Sequence, residues 1–446
     1  MHHEGGSEAH QASLSRQVRK LSLNIKYGHD TVQPMIPRTL EKTIRSAMKT
    51  FPATLVTGPR QSGKTTLLKE RFGCTHRFIS LEDPDLRRLI EEDPRGFLTD
   101  NPPPVILDEI QYLPELLHYI KSAIDKDRRP GQWLLSGSQS FSLMQGISQS
   151  LSGRVAILSL LPLSLGESHK SGANPTDLES IIENLFSQPM RKADPKPKHS
   201  SIPLEDWILR GGYPEIRLHP EVNRQLWMAG YIQTYLERDV RQIVNIGDLN
   251  TFHRFLRLMA ARTGQILNMS DLARDVGMSV PTIKKWISIL DASYQIFLLP
   301  PHFNNLGKRV IKSPKVYFLD TGIASYLMGL HAEEPLRRGP MIGPLFETLV
   351  VSEWVKAFCH RGERPELYYW RSKSGLEVDL IIDRNGRLYP VEIKTTATLL
   401  PGHAESLLKW KELAGEAADG GLIVANIEQP FTFKGLKAIS WRNGLD

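Results

Sequence analysis

One stretch of this sequence decides the fold, and it reads Gly58-Pro59-Arg60-Gln61-Ser62-Gly63-Lys64-Thr65-Thr66. It fits the pattern G-x-x-x-x-G-K-[ST] and follows an apolar run, Ala53 to Thr57, with the composition of a buried strand. The glycines let successive backbone N–H groups curl around phosphate oxygens, and the helix that follows aims its positive amino end at the same charge. We therefore expect these residues to bind ATP, with Lys64 at the β- and γ-phosphates and Thr65 as a ligand of Mg²⁺.

A second apolar run, Pro104 to Leu107, ends in the carboxylates Asp108 and Glu109. A strand of a doubly wound parallel sheet is buried on both faces, so carboxylates belong at its carboxyl end, where nucleotides bind. We expect Asp108 to hold the Mg²⁺ shell and Glu109 to orient or deprotonate the attacking water. An exposed acidic turn after a core strand is the alternative, and the preceding phosphate-binding motif weighs against it.

A third apolar run, from Gln132, ends in Ser138 and Gln139 and predicts a strand beside the first. Ser138 or Gln139 can hydrogen-bond the γ-phosphate or the lytic water, and Ser138 can equally cap the next helix; the two roles are compatible. Arg154, just before the strand-like run Val155 to Leu160, is a candidate for neutralising charge in the transition state. A solvated surface arginine is the alternative for Arg154.

Length, charge and cysteine content exclude several classes of protein. The 446 residues suffice for about three domains of about 150 residues each. A net charge of +7 favours an anionic partner such as nucleic acid, provided that a basic cluster forms the site. The two cysteines, Cys74 and Cys359, exclude a disulfide framework and a cysteine-rich zinc site. With no signal peptide and no apolar span of about 18 residues, we expect a cytoplasmic protein that makes no membrane contact.

The middle of the chain reads as a linker followed by helices. A run rich in Pro and Lys begins at Pro189 without hydrophobic periodicity, which is typical of an exposed linker. Gly211 to Pro214 predicts a tight turn, and Gln225 to Val244 predicts a long amphipathic helix that lies as a lid on the ATP-binding region. Arg238 and Arg241 on that helix can reach nucleotide across a domain or subunit boundary, or form ordinary salt bridges.

Residues 266–301 show the order helix, turn, helix and strand that is typical of a winged helix-turn-helix. Ser270 and Ser279 are predicted to cap the two helices. Lys284 and Lys285 then project outward from the second helix, where they are candidates for contacts with DNA phosphates. A local excess of Lys and Arg suits that role, and packing against the rest of an ATPase is the alternative.

The last third of the sequence carries carboxylates in an order that suits a divalent metal. Residues 375–382 and 388–394 predict two strands joined by a turn, with Asp379 on the first and with Glu392 and Lys394 on one face of the second. Across such a hairpin Asp379 comes opposite Glu392, so the pair is a candidate site for Mg²⁺ or Mn²⁺, and Lys394 can steady a hydroxide or a transition-state phosphate. Such a site suits phosphodiester hydrolysis, and surface ion pairs are the alternative for these acids.

This pattern resembles the PD-(D/E)XK nuclease superfamily. Asp379 matches its metal-binding aspartate, Glu392 and Lys394 match its E-x-K motif, and Glu347 matches its helical glutamate. Val378 stands in the place of the proline in the motif's name. The resemblance implies metal ligands at Glu347, Asp379 and Glu392, with catalytic roles for Asp379, Glu392 and Lys394.

From about Met35 onward the chain resembles a family of prokaryotic P-loop ATPases, related to the AAA class, that joins a winged helix to a nuclease-like C-terminal domain. The resemblance implies an α/β fold with the parallel sheet of a P-loop NTPase, a helical lid with a winged helix, and a restriction-endonuclease-like α/β domain. The segments that carry it are residues 58–66, 105–111, 134–139, 211–214, 235–240, 316–322 and 377–394. The expected boundaries are 1–34 for a disordered extension, 35–167 for the P-loop ATPase domain, 168–203 for a linker or insert, 204–262 for the helical lid, 263–335 for the winged helix and 336–446 for the nuclease-like domain.

Two functions fit these patterns. The first is an ATP-hydrolysing, DNA-binding protein in which the nucleotide state controls how the winged helix and a metal-dependent nuclease-like domain engage DNA. The second is a regulatory switch ATPase whose nuclease-like domain is an inactive recognition scaffold. A homo-oligomer fits either function, because the arginine fingers of such ATPases often act between subunits.

Overall fold

The apolar runs that precede the glycine-rich loop and the paired carboxylates become strands of one parallel sheet, with a third strand between them. The computed structural model describes residues 36–138, 147, 150–168, 177–188, 202–236, 249–302, 313–372, 374–443 and 445. Residues 37–446 cluster as one compact unit.

The helices and strands of this unit follow one another in three groups. The first group is α1 (Leu40–Ala47), β1 (Ala53–Thr57), α2 (Lys64–Phe72), β2 (Arg77–Ser80), α3 (Pro84–Glu92), α4 (Pro94–Asp100), β3 (Val105–Asp108), α5 (Leu116–Lys126), β4 (Trp133–Ser136), β5 (Val155–Ser159) and α6 (Leu165–Ser168). The second is α7 (Leu178–Ile182), α8 (Leu204–Arg210), α9 (Pro214–Leu218), α10 (Arg224–Tyr231), α11 (Leu249–Ala261), β6 (Gln265–Ile266), α12 (Met269–Val276), α13 (Val280–Ala292), β7 (Ile296–Leu299), β8 (Lys315–Phe318), α14 (Thr321–Leu327) and α15 (Glu333–Arg338). The third is α16 (Ile342–Cys359), β9 (Leu367–Arg371), β10 (Glu377–Arg384), β11 (Arg387–Lys394), α17 (Glu405–Ala414), β12 (Leu422–Ala425), β13 (Phe431–Phe433) and β14 (Leu436–Ser440).

The first group builds a five-stranded sheet in the order β2-β3-β4-β1-β5, with every neighbouring pair parallel. The strands β1, β3 and β4 are buried along their whole length, as apolar runs covered on both faces must be. Because all the strands are parallel, their carboxyl ends meet at one edge, which we term the phosphate edge. The loop after β1, Asp108 at the end of β3 and Ser136 at the end of β4 all lie there, which confirms the predicted parallel sheet.

The second group contains helices of 5 to 13 residues and a three-stranded antiparallel sheet in the order β6-β8-β7. The predicted N-cap Ser279 is confirmed, because its Oγ accepts a hydrogen bond from the Thr282 N–H at 3.3 Å. The predicted cap at Ser270 is wrong: Asn268 caps α12 instead, and its Oδ1 accepts the Ser270 N–H at 3.1 Å. Asn268 is the N-cap because its side chain reaches the free N–H groups of the first turn, whereas Ser270 already lies inside the helix.

The structure describes the predicted lid helix, Gln225 to Val244, as far as residue 236. An α-helix covers Arg224–Tyr231, and a wider helical turn continues it over Ile232–Leu236. Arg238 and Arg241 lie outside the described residues, as does Gln139.

The third group builds a six-stranded mixed sheet in the order β13-β14-β12-β11-β10-β9. The strands β10 and β11 form the predicted antiparallel hairpin, in which Leu380 pairs with Val391. Asp379 and Glu392 are the next residues outward from that pair, so they face each other across the hairpin. One continuous hydrophobic core joins this sheet, through α16, to the second group.

Two side chains of helix α16 form hydrogen bonds with the backbone of the segment that follows β5. Glu353 Oε2 accepts the Leu165 N–H at 2.7 Å, and its Oε1 accepts the Lys356 ammonium at 2.8 Å. Lys356 donates further to the Leu163 carbonyl at 3.1 Å. Both side chains of the pair are nearly inaccessible, at 4% and 3% exposure, so neither charge has water as an alternative partner.

We predict that Glu353→Ala destabilises the protein by about 3–5 kcal/mol, because it leaves the buried Lys356 ammonium without its counter-ion. Urea denaturation monitored by circular dichroism measures the change. The matched control is Glu334→Ala, whose partner Arg338 is 80% exposed. That control should cost no more than about 1 kcal/mol, and an equal loss in both variants would contradict the buried-pair account.

Candidate functional site

The loop after β1 has a backbone that only glycine tolerates at its first position. Gly58 has φ = +145°, and a Cβ placed on it would lie 2.2 Å from the Leu160 carbonyl oxygen. Gly63, at φ = +95°, precedes the first residue of α2. These two positions turn the loop so that α2 starts at Lys64 and points its amino end toward the phosphate edge.

Lys64 lies inside the loop rather than in solvent. Its side chain donates to the carbonyl oxygens of Gly58, at 3.1 Å, and of Pro59, at 2.8 Å. The residue is only 4% exposed. The ammonium is therefore held where the predicted phosphates would lie.

Asp108 is the centre of a small polar cluster at the phosphate edge. Its Oδ2 accepts the Thr65 hydroxyl at 2.9 Å, and its Oδ1 accepts the Ser136 hydroxyl. Asp108 is 2% exposed, and this burial raises the pKa of its carboxyl group, although the hydrogen bonds from Ser136 and Thr65 oppose the shift. Ser136 was not among the predicted site residues, and its place at the end of an apolar strand is the signal that could have found it.

Glu109 follows in an uncommon backbone conformation. Its φ of +60° is in the left-handed region, where residues with a side chain are rare. Its N–H faces the Ser136 hydroxyl at 3.4 Å, and its carboxylate accepts a hydrogen bond from the Gln111 side chain. The chain therefore turns at the end of β3 so that Asp108 and Glu109 both stay at the phosphate edge.

The predicted site residues Ser138 and Arg154 lie at opposite edges of the parallel sheet. Ser138 is buried just beyond the end of β4, between the strands that carry the glycine-rich loop and Asp108. Arg154 lies at the opposite edge of the sheet, because it precedes Val155, which pairs with the first residue of β1. Its side chain contacts Asp125 at 2.7 Å. Within one chain, the structure does not bring Arg154 to the phosphate edge.

Arg38 contacts the glycine-rich loop, although no motif pointed to it. Its guanidinium donates to the Ser62 carbonyl at 2.8 Å and to the Leu161 carbonyl at 2.6 Å. Its Nε lies 3.1 Å from Glu167 Oε2 in a buried ion pair. The other oxygen of Glu167 lies 3.4 Å from His360 Nδ1, just beyond the end of α16. Although burial alone would raise it, Arg38 and His360 hold the pKa of Glu167 well below its usual range.

The hairpin carboxylates meet as the spacing predicted. Asp379 Oδ2 accepts the Ile393 N–H at 2.8 Å and lies 3.5 Å from Lys394 Nζ. Lys394 also pairs with Glu392. Burial and the neighbouring Asp379 charge raise the pKa of Glu392 to about 8.

Glu347 faces a lysine that was not predicted. Its Oε1 accepts the Lys315 ammonium at 2.9 Å and the Tyr317 hydroxyl. Lys315 pairs with Glu377 as well. No local pattern could reveal this residue, because it comes from β8, a strand of a different group.

The predicted metal site of Glu347, Asp379 and Glu392 is not assembled. In the part of the chain that the structure describes, no three His, Cys, Asp or Glu side chains lie close enough together to bind a metal ion. The physical reason is the ion pairing: Glu347 is engaged by Lys315, while Asp379 and Glu392 are engaged by Lys394. The donor set therefore does not fit the Mg²⁺ or Mn²⁺ expected there.

Lys284 and Lys285 lie on α13, and both are exposed. The apolar residues of the same helix, including Ile283 and Leu290, are buried. The two lysines are therefore free to meet a ligand that approaches this face. Among the described residues, no helix is both long enough and apolar enough to cross a bilayer.

Comparison with known families defines the class of the protein. A family model described as an AAA domain matches residues 50–169, which contain the phosphate edge. Two models described as domains of unknown function, DUF8612 and DUF4143, match residues 202–334 and 342–443. The chain thus carries a P-loop ATPase domain of the AAA type.

Two uncharacterized proteins, from Mycobacterium bovis and Mycobacterium tuberculosis, are each 30% identical over 360 residues, covering 80% of this chain and 73% of theirs. The chain belongs to the same family as these mycobacterial proteins. Its structure is similar to a Walker-type ATPase of Pyrococcus abyssi, with 15% identity, a TM-score of 0.42 and coverage of 66% of this chain and 98% of that one. It is also similar to the RuvB Holliday junction branch migration motor of Thermotoga maritima, with 17% identity, a TM-score of 0.29 and coverage of 58% and 89%.

We predict that Glu109→Gln slows ATP hydrolysis by about 10²- to 10⁴-fold, because an amide cannot accept a proton from the attacking water. ATP binding should be retained, since the glycine-rich loop and Lys64 are unchanged. Phosphate release measures the rate, and a fluorescent ATP analogue measures binding. Lys64→Ala is the contrasting variant and should lose both.

Arg154→Ala is the matched control for this series. Since Arg154 lies at the far edge of the sheet, a single chain should keep its hydrolysis rate within about twofold of the wild type. A loss as large as that of Glu109→Gln would show that Arg154 acts on another subunit's nucleotide.

Proposed function

We propose that this protein binds and hydrolyses ATP at the phosphate edge and that its nucleotide state controls a DNA-binding region. The contact between the Thr65 hydroxyl and the buried Asp108 carboxylate carries the first half of the proposal. It joins the end of the phosphate-binding motif to the end of β3, although these residues are far apart in the sequence. Together with Lys64 it supplies the donor set that P-loop ATPases use.

Each residue at the phosphate edge has a role in this reaction. Lys64 and the N–H groups of the loop bind phosphate oxygens, and Glu109 accepts the proton of the attacking water. Thr65 and Asp108 are oxygen donors that fit Mg²⁺ and would hold it. When bound, that ion neutralises charge on the β- and γ-phosphates. Ser136 keeps Asp108 oriented, and Ser138 is placed to contact the γ-phosphate or the water.

The DNA-binding half of the proposal concerns α11 to β8. The order helix α11, strand β6, helices α12 and α13, and strands β7 and β8, with the sheet order β6-β8-β7, is the order expected of a winged helix. The second helix of its helix-turn-helix, α13, exposes Lys284 and Lys285 on the face opposite its buried residues. Exposed lysines on such a helix suit phosphate contacts.

A buried route supports control by nucleotide. Arg38 contacts the loop at Ser62 and the chain after β5 at Leu161, and it pairs with Glu167. Glu167 in turn neighbours His360 at the end of α16. A shift of the loop on ATP binding must therefore move or strain this network, since buried charges tolerate little loss of contact.

DNA cleavage by the C-terminal region is the second candidate function. One observation favours it: Asp379, Glu392 and Lys394 meet at one hairpin in the order of a PD-(D/E)XK nuclease. The pairing of Lys315 with Glu347 weighs against it, because it occupies the carboxylate that would complete the metal site.

We predict that the double variant Lys284→Ala/Lys285→Ala weakens binding to duplex DNA and lowers the slope of log K against log salt concentration by about 2, one for each lost phosphate contact. Fluorescence anisotropy at several salt concentrations measures both. The control, Lys126→Ala/Lys409→Ala, removes two exposed lysines from helices of the other groups. An equal loss in the control would remove the assignment to α13.

We also predict that ATP and ADP give different DNA affinities, by about fivefold or more, because a coupling of about 1 kcal/mol or more is typical of linked sites. The same anisotropy assay, run with a slowly hydrolysed ATP analogue and with ADP, measures the difference. Lys64→Ala should bind DNA equally under both conditions. If the wild type did so too, the switch would be disproved even with ATP hydrolysis intact.

A further inference from the structure

The side chains around Lys315 bear on whether the C-terminal region is a metal-dependent nuclease or an inactive scaffold. The inference drawn from them rests on the proposed function only because that function names these two roles. Lys315 is the first residue of β8, yet its side chain leaves its own sheet and enters the carboxylate cluster of α16 and β10. Its Nζ lies 2.9 Å from Glu347 Oε1 and also pairs with Glu377. The residue is 3% exposed, so this ammonium is held by the cluster and not by water.

The neighbouring groups reinforce this arrangement. The Tyr317 hydroxyl, two residues along β8, donates to the same oxygen of Glu347. The Lys315 ammonium also lies 5.6 Å from the centre of the Tyr369 ring, within range of a cation–π contact. Two residues of β8 therefore satisfy the helical glutamate that a metal would need.

Another carboxylate of the cluster, that of Glu392, has one oxygen that accepts no hydrogen bond from the part of the chain that the structure describes. Glu392 is 5% exposed, and among the described residues its Oε2 has no hydrogen-bond donor. A buried carboxylate oxygen without a donor is costly and marks a place where a cation would be stabilised. The cluster thus has acceptors for a divalent ion, but a fixed ammonium already lies among them.

We infer that Lys315 is a resident cation of this cluster beside Lys394: by holding Glu347 it locks the sheet of β8 to the C-terminal region and keeps Glu347, Asp379 and Glu392 from binding a divalent metal together. The Lys315 ammonium and a divalent ion bound by the same carboxylates would repel each other strongly, because little water screens their charges. The C-terminal region therefore acts as a docked scaffold in the intact chain. Loss of the Lys315 charge releases Glu347 from its ion pair, so that Glu347 can approach Asp379 and Glu392 and the three carboxylates can bind a divalent cation together.

Titration of the nucleotide-free, full-length protein with Mn²⁺, followed by electron paramagnetic resonance, tests this inference. The wild type and Asp379→Asn should bind Mn²⁺ alike. Lys315→Gln should gain one Mn²⁺ site, which binds at least about tenfold more tightly than any Asp379-dependent site in the wild type. The double variant Lys315→Gln/Asp379→Asn should lack that site. The matched control is Arg371→Gln, which removes a half-exposed cation 3.6 Å from Glu377 and should gain no site.

Three results would overturn the inference. They are a wild-type Mn²⁺ site that Asp379→Asn removes, no gain in a folded Lys315→Gln, and an equal gain in Arg371→Gln. If Lys315→Gln does not fold, the comparison of wild type with Asp379→Asn still decides whether the intact cluster excludes the metal. Hydrolysis of ATP and binding of DNA by the same samples report on the proposed function separately, so its failure would not be confused with failure of the Lys315 assignment.

Discussion

The buried ion pair between Arg38 and Glu167 is the interaction on which the rest of the structure depends. Two charges out of water are stable only if nearly every donor and acceptor is used. Arg38 donates to the carbonyls of Ser62 and Leu161, and its Nε lies 3.1 Å from Glu167 Oε2. One guanidinium thereby fixes the glycine-rich loop, the chain after β5 and the helix α6 relative to one another.

Helix α16 extends this constraint to the C-terminal region. It has 18 residues, which corresponds to a length of about 27 Å. His360 lies just beyond its carboxyl end beside Glu167, and Glu347 near its amino end pairs with Lys315 of β8. The phosphate edge and the three-stranded sheet β6-β8-β7 are thus attached to opposite ends of one buried helix. The C-terminal region thus connects the phosphate edge to the sheet formed by β6, β7 and β8.

Local patterns revealed much of this arrangement, and contacts between distant segments did not. The glycine-rich loop, Asp108 and the hairpin of Asp379 are encoded by strand periodicity and by residues at strand ends, so the sequence suffices to predict them. Arg38 and Lys315 were missed because each acts through a partner that is far away in the chain and leaves no periodic signal. Arg154 was a candidate for the nucleotide site although it precedes its strand, and a residue that precedes a strand of this parallel sheet lies at the edge opposite the phosphate edge.

Hydrogen–deuterium exchange with and without ATP tests most directly the claim that nucleotide is sensed through Arg38. In the wild type, ATP should slow exchange in the loop, at residues 58–66, and also at residues 161–167 and the carboxyl end of α16. In Arg38→Gln, the slowing should be confined to the loop. Protection of the loop alone in the wild type would contradict the account, because it would show that the buried pair does not transmit the nucleotide state.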